Sequence, residues 1–243
     1  MKQSIFEVKA NTKIAENTYK MVLGGDCSGI TASGQFVNIK LDGFFLRRPI
    51  SVCDYDDNEL TLIYKVVGKG TEYMAELGAG EKLDILTGLG NGYDLSKSGN
   101  EPVLIGGGAG VPPMYNLCRK LVAEGKKPQV ILGFNKENEL FFENEFKALG
   151  AEVTVTTADG SYGMKGFVTD ALKNMKYTYI YSCGPEPMLK AIYNTAETSG
   201  QLSFEERMGC GFGACMGCSC ATKYGNKRIC KDGPVLEMEE IIW

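Results

Sequence analysis

Between residues 210 and 230 the chain gathers five of its nine cysteines. Cys210-Gly-Phe-Gly-Ala-Cys215-Met-Gly-Cys218, with Cys230 following, is the C-x4-C-x2-C…C arrangement whose four thiolates hold a [2Fe–2S] cluster. Gly209, Gly211, Gly213 and Gly217 let such a loop curl tightly and turn backbone N–H groups towards the cluster sulfurs. From about Gly200 the chain is too short to build its own hydrophobic core, so something has to staple it. The alternative staple is a four-cysteine zinc site. Zinc knuckles pair two short C-x2-C or C-x4-C units, however, whereas here three ligands crowd one glycine loop. Cys220 has no evident role.

Histidine is absent from all 243 residues. That excludes a Ser-His-Asp triad, a Cys-His dyad and any histidine-ligated metal, so the chemistry has to rely on cofactors. The formal charge of −4, with Lys and Arg scattered, gives no basic groove for nucleic acid. The first residues, MKQSIFEVKANTKIAEN, lack a signal peptide's apolar run, and every long apolar segment is interrupted. A cytoplasmic protein is expected. There the uneven cysteines are not a disulfide framework.

Along the chain the pattern changes once. Up to about residue 98, alternating runs such as Val37, Ile39, Leu41 and the segment Leu60–Val67 predict short strands of an antiparallel β-barrel. Lys97–Asn100 reads as a linker. From Glu101, strands at Val103–Ile105, Val130–Leu132, Val153–Val155 and Tyr179–Ser182 alternate with helices, one ending near Leu121 and one near Leu140–Leu149. This βαβ alternation predicts a parallel sheet. The expected fold class is therefore β plus α/β: a barrel over 1–98, a parallel-sheet domain over 99–200 and a small cluster domain over 201–243.

Two further motifs bear on chemistry. Gly106-Gly107-Gly108-Ala-Gly110-Val-Pro112-Pro113-Met114 is a strand, a glycine turn and a proline-started helix, whose amides suit a pyrophosphate. It is not a clean G-x-G-x-x-G, and a ligand-free turn is the plain alternative. In the barrel, Arg47-Arg48-Pro49-Ile50-Ser51 offers a guanidinium and a hydroxyl, and Gly70-Thr71 offers amides, for a flavin's phosphates. Two adjacent arginines also occur on ordinary solvated faces.

In order, Arg48–Ser51, the Gly106–Met114 turn and Cys183-Gly184-Pro185-Glu-Pro-Met188 resemble the ferredoxin-NADP reductase superfamily, which pairs a flavin barrel with a nicotinamide domain. The C-terminal addition resembles the electron-transfer subunit of NAD-linked, two-flavin (class 1B) dihydroorotate dehydrogenase, as do Gly88–Tyr93 and Asp159–Gly163. The resemblance implies FAD on Arg48, Pro49, Ile50, Ser51, Ile63, Tyr64, Lys65, Gly70 and Thr71. It implies NAD(H) on Gly106, Gly107, Gly108, Gly110, Cys183, Gly184 and Pro185, and the cluster on Cys210, Cys215, Cys218 and Cys230. Position 50 departs from the superfamily's flavin-packing Tyr, so aliphatic contact has to replace ring stacking. Cys183 is either the nicotinamide's neighbour or a buried small apolar residue.

Hydride arrives as an electron pair, whereas a [2Fe–2S] cluster takes single electrons, so a flavin is needed between them. Dihydroorotate oxidation would need a second, FMN-bearing (β/α)8 barrel of about 250 residues. This chain has no room for it. The resemblance thus implies an FMN-containing dihydroorotate dehydrogenase catalytic subunit as partner, in a heterotetramer of two copies of each chain serving pyrimidine biosynthesis. Small subunits of a sulfide dehydrogenase or of an NADH-dependent ferredoxin:NADP oxidoreductase share the plan, but there an aspartate commonly replaces one cluster cysteine. A zinc-stapled, non-catalytic interaction protein is the reading from another class.

Overall fold

The computed structural model describes residues 1–243. Strands β1 (Lys2–Ala15), β2 (Thr18–Gly24), β3 (Phe36–Ile39), β4 (Arg48–Tyr55), β5 (Glu59–Lys65) and β6 (Lys82–Leu89) close an antiparallel barrel in the order β1-β2-β5-β4-β3-β6. Its interior is filled by Phe6, Met21, Leu23, Val37, Ile39, Val52, Leu62 and Ile85, all buried. Helix α1 (Lys69–Glu76) adds Met74 to that core. Because side chains alternate along a strand, filling the interior with Val37 and Ile39 turns Phe36 and Asn38 outward. By the same rule Ile63 leaves the interior that Leu62 and Tyr64 occupy.

The second sheet runs β10 (Met164–Lys165), β9 (Glu152–Thr157), β8 (Gln129–Phe134), β7 (Val103–Gly107), β11 (Ile180–Cys183), β12 (Gly200–Ser203) and β15 (Val235–Glu237), with only β15 antiparallel. Helices α2 (Val111–Ala123) and α3 (Glu143–Ala148) supply one face, packing Leu117, Leu121 and Phe146 towards Leu104 and Val130. Helices α4 (Val168–Leu172) and α5 (Glu186–Thr195) supply the other, with Leu172, Leu189 and Ile192 towards Ile105 and Ile131. Strand order reverses between β7 and β11, which run side by side with Gly106 opposite Cys183. That reversal is where doubly wound sheets open a ligand crevice. No helix is long and apolar enough to cross a membrane.

The joints are packed. Ser98, within the expected linker, is fully buried, and its carbonyl accepts from Thr178 Oγ1 at 2.6 Å. Asn116 on α2 donates to Asp54 at 2.6 Å and accepts from Ser33 Oγ at 2.6 Å, tying helix to barrel. Beyond Gly200 the chain is built onto the sheet: β12 straddles the boundary expected there, and β15 pairs with its free edge. The hairpin β13 (Ser219–Thr222) and β14 (Gly225–Arg228) follows the cysteine loop. Cys218, Ile229, Cys230, Leu236 and Ile241 share one core with Phe36 of the barrel and Ile192 of α5. The segment has no core of its own; neighbouring units supply it.

Candidate functional site

On the barrel, the two adjacent arginines part company. Arg47 is structural: its guanidinium donates to the Asn38 and Asp84 carbonyls and pairs with the Asp84 carboxylate at 3.0 Å. Arg48 instead lies over the Phe44 ring, 4.9 Å from its centroid, donates to the Leu46 carbonyl, and fills the space beside Gly70. A Cβ on Gly70 would sit 2.1 Å from Arg48 Nε, so any larger residue would push the guanidinium aside. The Thr71 hydroxyl is already committed, accepting from the Val67 and Gly68 N–H groups and donating to the Gly68 carbonyl. What remains at this end of α1 is a guanidinium above the unpaired N–H groups of a first helical turn, a setting for phosphate. Ile50 sits opposite Val37 and packs half-buried against the barrel core. Tyr64 points into the barrel, its hydroxyl donating to Asn11 Oδ1 at 3.0 Å. Ile63 and Lys65 face the second domain, where Lys65 pairs with Glu139 at 3.5 Å.

A cleft of about 670 Å³ opens at the carboxyl edges of β7, β8 and β11, lined by Gly107, Gly108, Phe134, Pro185, Met188 and, across from them, Lys65 and Glu205. Its floor tolerates no added atoms. A Cβ on Gly106 would meet Val111 Cα at 2.7 Å, and one on Gly110 would lie 2.1 Å from the Cys183 carbonyl oxygen. The turn departs from a standard phosphate cradle in one respect: Pro112 and Pro113 have no N–H, and the Val111 N–H is spent on the Gly108 carbonyl. Donors for an anion therefore come from the 108–110 turn, with the positive end of α2 behind them. Cys183 is 2% exposed, and burial, with the Glu205 carboxylate adding to it, pushes its thiol up to about 12. It is a neutral, closely packed thiol and no nucleophile.

The cysteine loop lies at the other side of the barrel's outer face. The four thiols influence one another's ionisation, Cys215 acting on Cys210 and both Cys218 and Cys210 acting on Cys230. The Cys230 N–H also reaches Cys218 Sγ at 3.4 Å. These four cysteines are the number a two-iron cluster requires, each iron taking two thiolates besides the bridging sulfides. Desolvation works against the Cys210 thiolate, yet the N–H groups of Cys215, Phe212 and Ala214 and the Cys215 thiol together hold it down to about 6. Burial and the Cys218 thiol push Cys230 up to about 12. Arg228 braces the loop from behind, donating to the Gly213 carbonyl at 3.0 Å while both its ends grip Asp232.

Two family models match: "Iron-sulfur cluster binding domain of dihydroorotate dehydrogenase B" over residues 205–242 and "Oxidoreductase NAD-binding domain" over 104–194. The dihydroorotate dehydrogenase B (NAD(+)) electron transfer subunit of Fusobacterium nucleatum is 46% identical over 94% of each chain. That of Bacillus pumilus is 41% identical over 99% of this chain and 98% of its own. The chain belongs to this family. A solved NADH-dependent reduced ferredoxin-NADP oxidoreductase, at 30% identity, superposes over 98% of this chain and 90% of its own with a TM-score of 0.89. A ferredoxin NADP+ reductase from Neisseria gonorrhoeae, at 18% identity and a TM-score of 0.69, shares the fold.

For an electron transfer subunit of this family, the structure gives roles to motif residues that the sequence left without one, and adds Glu139 and Glu205. Asn91, inside the Gly88–Tyr93 motif, donates to the Val235 carbonyl at 2.7 Å and accepts its N–H at 3.0 Å, clamping β15 to the barrel's exit. The Tyr93 hydroxyl donates to the Ser182 carbonyl at 2.9 Å under the cleft. Lys65, Glu139 and Glu205 meet at the cleft from three separate stretches. In Asp159–Gly163, the Asp159 carboxylate accepts from the Ser161 N–H and hydroxyl, forming the turn after β9. Nothing in local spacing marks Glu205, because its place depends on β12 lying beside β11.

Proposed function

We propose that this chain carries electrons between NAD(H) and a partner FMN-containing dihydroorotate dehydrogenase catalytic subunit, through FAD and a [2Fe–2S] cluster, in pyrimidine biosynthesis. The observation that carries this reading is a four-cysteine segment packed against one face of the barrel, with Cys230 folded back onto Cys218, while another face of the same barrel meets the nucleotide cleft. Bound FAD supplies the conversion between two-electron hydride chemistry and the one-electron chemistry of the cluster.

In this reading Cys210, Cys215, Cys218 and Cys230 ligate the irons. Arg48 and the amides of Gly70 and Thr71 hold the FAD phosphates. Pro49, Ile50, Ser51 and the Ile63–Lys65 strand bound its ring and ribityl chain, Tyr64 through its main chain. Gly106, Gly107, Gly108 and Gly110 bring the dinucleotide close to the backbone, and Cys183, Gly184 and Pro185 close the nicotinamide end. Burial of Cys183 keeps that end neutral and dry. Cys215 is exposed beside Phe212 and Met216, 44% and 55% exposed, so the cluster's outer side is open to a partner. Four cysteines, with no aspartate among them, favour this assignment over the ferredoxin-NADP oxidoreductase type.

The test is the purified chain alone. It should show flavin absorption with iron–sulfur shoulders, reduce a dye with NADH, and oxidise dihydroorotate only after the FMN subunit is added, in a complex of two copies of each chain. A colourless, zinc-containing protein would refute the reading, and dihydroorotate oxidation without a second protein would refute the division of labour.

A further inference from the structure

Asn38 stands between the two proposed cofactors and belongs to neither set. It lies on β3 directly opposite Pro49 of the proposed flavin strand and is 1% exposed. Its side chain turns out of the barrel, and Nδ2 donates to the carbonyl of Cys210 at 3.2 Å. The loop presses against it closely: a Cβ on Gly211, whose φ is +78°, would sit 2.3 Å from Asn38 Nδ2.

The other end of the amide is unsatisfied. Oδ1 is buried with no hydrogen-bond partner, one of two such side-chain atoms in the protein. Turning the amide over does not cure this, because it would set Oδ1 against the Cys210 carbonyl oxygen. The acceptor is therefore fixed in orientation, beside the strand that carries Arg48 to Ser51. A buried acceptor held in this way calls for a donor. The ribityl hydroxyls and ring N–H of a flavin are donors of the required kind.

We infer that Asn38 is a positioning residue for electron transfer, holding the Cys210 loop with its NH2 group while its carbonyl oxygen accepts a hydrogen bond from the flavin. One side chain then fixes the distance between the two redox groups. The inference rests on the proposed FAD and cluster sites.

The experiment uses the full chain loaded with FAD and cluster. Asn38→Ala should retain both, and flavin bleaching by NADH is timed separately so that cluster reduction is read relative to it. The electron paramagnetic resonance signal of the reduced cluster should then appear about tenfold or more slowly, as expected for a displaced reacting pair, and the flavin absorption band should shift. A loaded Asn38→Ala protein with wild-type cluster reduction and an unshifted band overturns the inference. If that variant loses its cluster, Asn38→Ser, which keeps a hydroxyl to donate to the Cys210 carbonyl, should restore loading with slowed reduction. Wild-type reduction in the serine variant, or loss of cluster from both variants, reduces Asn38 to a structural tie and overturns its positioning role. Failure of the cofactor reading looks different, since the wild-type chain itself would then lack flavin or iron.

Discussion

The two glycine-rich loops, Gly106–Gly110 and Gly209–Cys218, use the same residue for opposite reasons. In the first, glycine is demanded by backbone on backbone: Gly106 against Val111 Cα, Gly110 against the Cys183 carbonyl. Strands on both sides fix those neighbours, so the turn is formed before any ligand arrives. In the second, Gly211 and Gly213 have φ of +78° and +90°, and their missing Cβ atoms face the side chains of Asn38 and Lys231. Gly211, Gly213 and Cys218 are buried but the side chains between them are exposed, and the loop from Phe212 to Gly217 forms no helix or strand. One loop is held by the sheet; the other needs the group it holds.

That contrast breaks first at the cysteines. Cys218→Ser should abolish the cluster outright, with iron content and reduced-cluster resonance both lost, while FAD and NADH-dependent flavin bleaching persist. Limited proteolysis should then cut the 205–230 segment first. Equal protection in the variant would mean that the loop stands without its cluster. Next, Gly110→Ala should leave FAD and iron in place but slow flavin reduction by NADH about a hundredfold, because the floor of the cleft has to shift against fixed backbone. The same substitution at Gly211 should cost about 1–2 kcal/mol of stability for left-handed backbone, measured by denaturant unfolding, and should also displace the Asn38 amide that its Cβ would meet.

A smaller effect is expected at Arg228. Arg228→Ala removes the loop's brace, and because that ion pair is partly solvated the loss should be about 1 kcal/mol, seen as faster iron release to a chelator with unchanged flavin chemistry. The smallest concerns Glu205, whose side chain opens to solvent at the cleft although surrounding protein pushes its carboxyl up. A raised folded-state value means that the folded protein binds the proton more tightly. The penalty is therefore absent at low pH, grows as pH rises from the ordinary carboxylate range through the folded value, and is constant above it. Glu205→Gln should accordingly stabilise the protein at pH 8 by less than about 1 kcal/mol and not at all at pH 3. A stabilisation independent of pH would assign the effect to packing.

Much of this was readable along the chain because it is local. A C-x4-C-x2-C run keeps its ligands within one loop, and alternation with period two marks β5 wherever it pairs. Leu140–Leu149 was less legible: the helix begins only at Glu143, after Phe142 adopts a left-handed φ of +69°. The approach of Cys230 to Cys218 also escaped the spacing, since Cys230 comes back only through the β13–β14 hairpin. Likewise the sequence cannot tell Arg47 from Arg48, because Asp84, which claims Arg47, lies on a strand 37 residues away.

By itself, then, the chain's order of residues determined the barrel and parallel-sheet modules, the glycine turn and the Cys210–Cys218 spacing, each set by neighbours within a few positions. Tertiary structure decided which faces look at one another. Tyr64 turned into the barrel and Ile63 out of it, Glu205 came to Cys183, and Asn38 met the carbonyl of Cys210 across 172 residues of chain. The reason is that a strand's outward face is defined only once its sheet has closed. The cysteine loop has no core of its own until the barrel and β15 supply one.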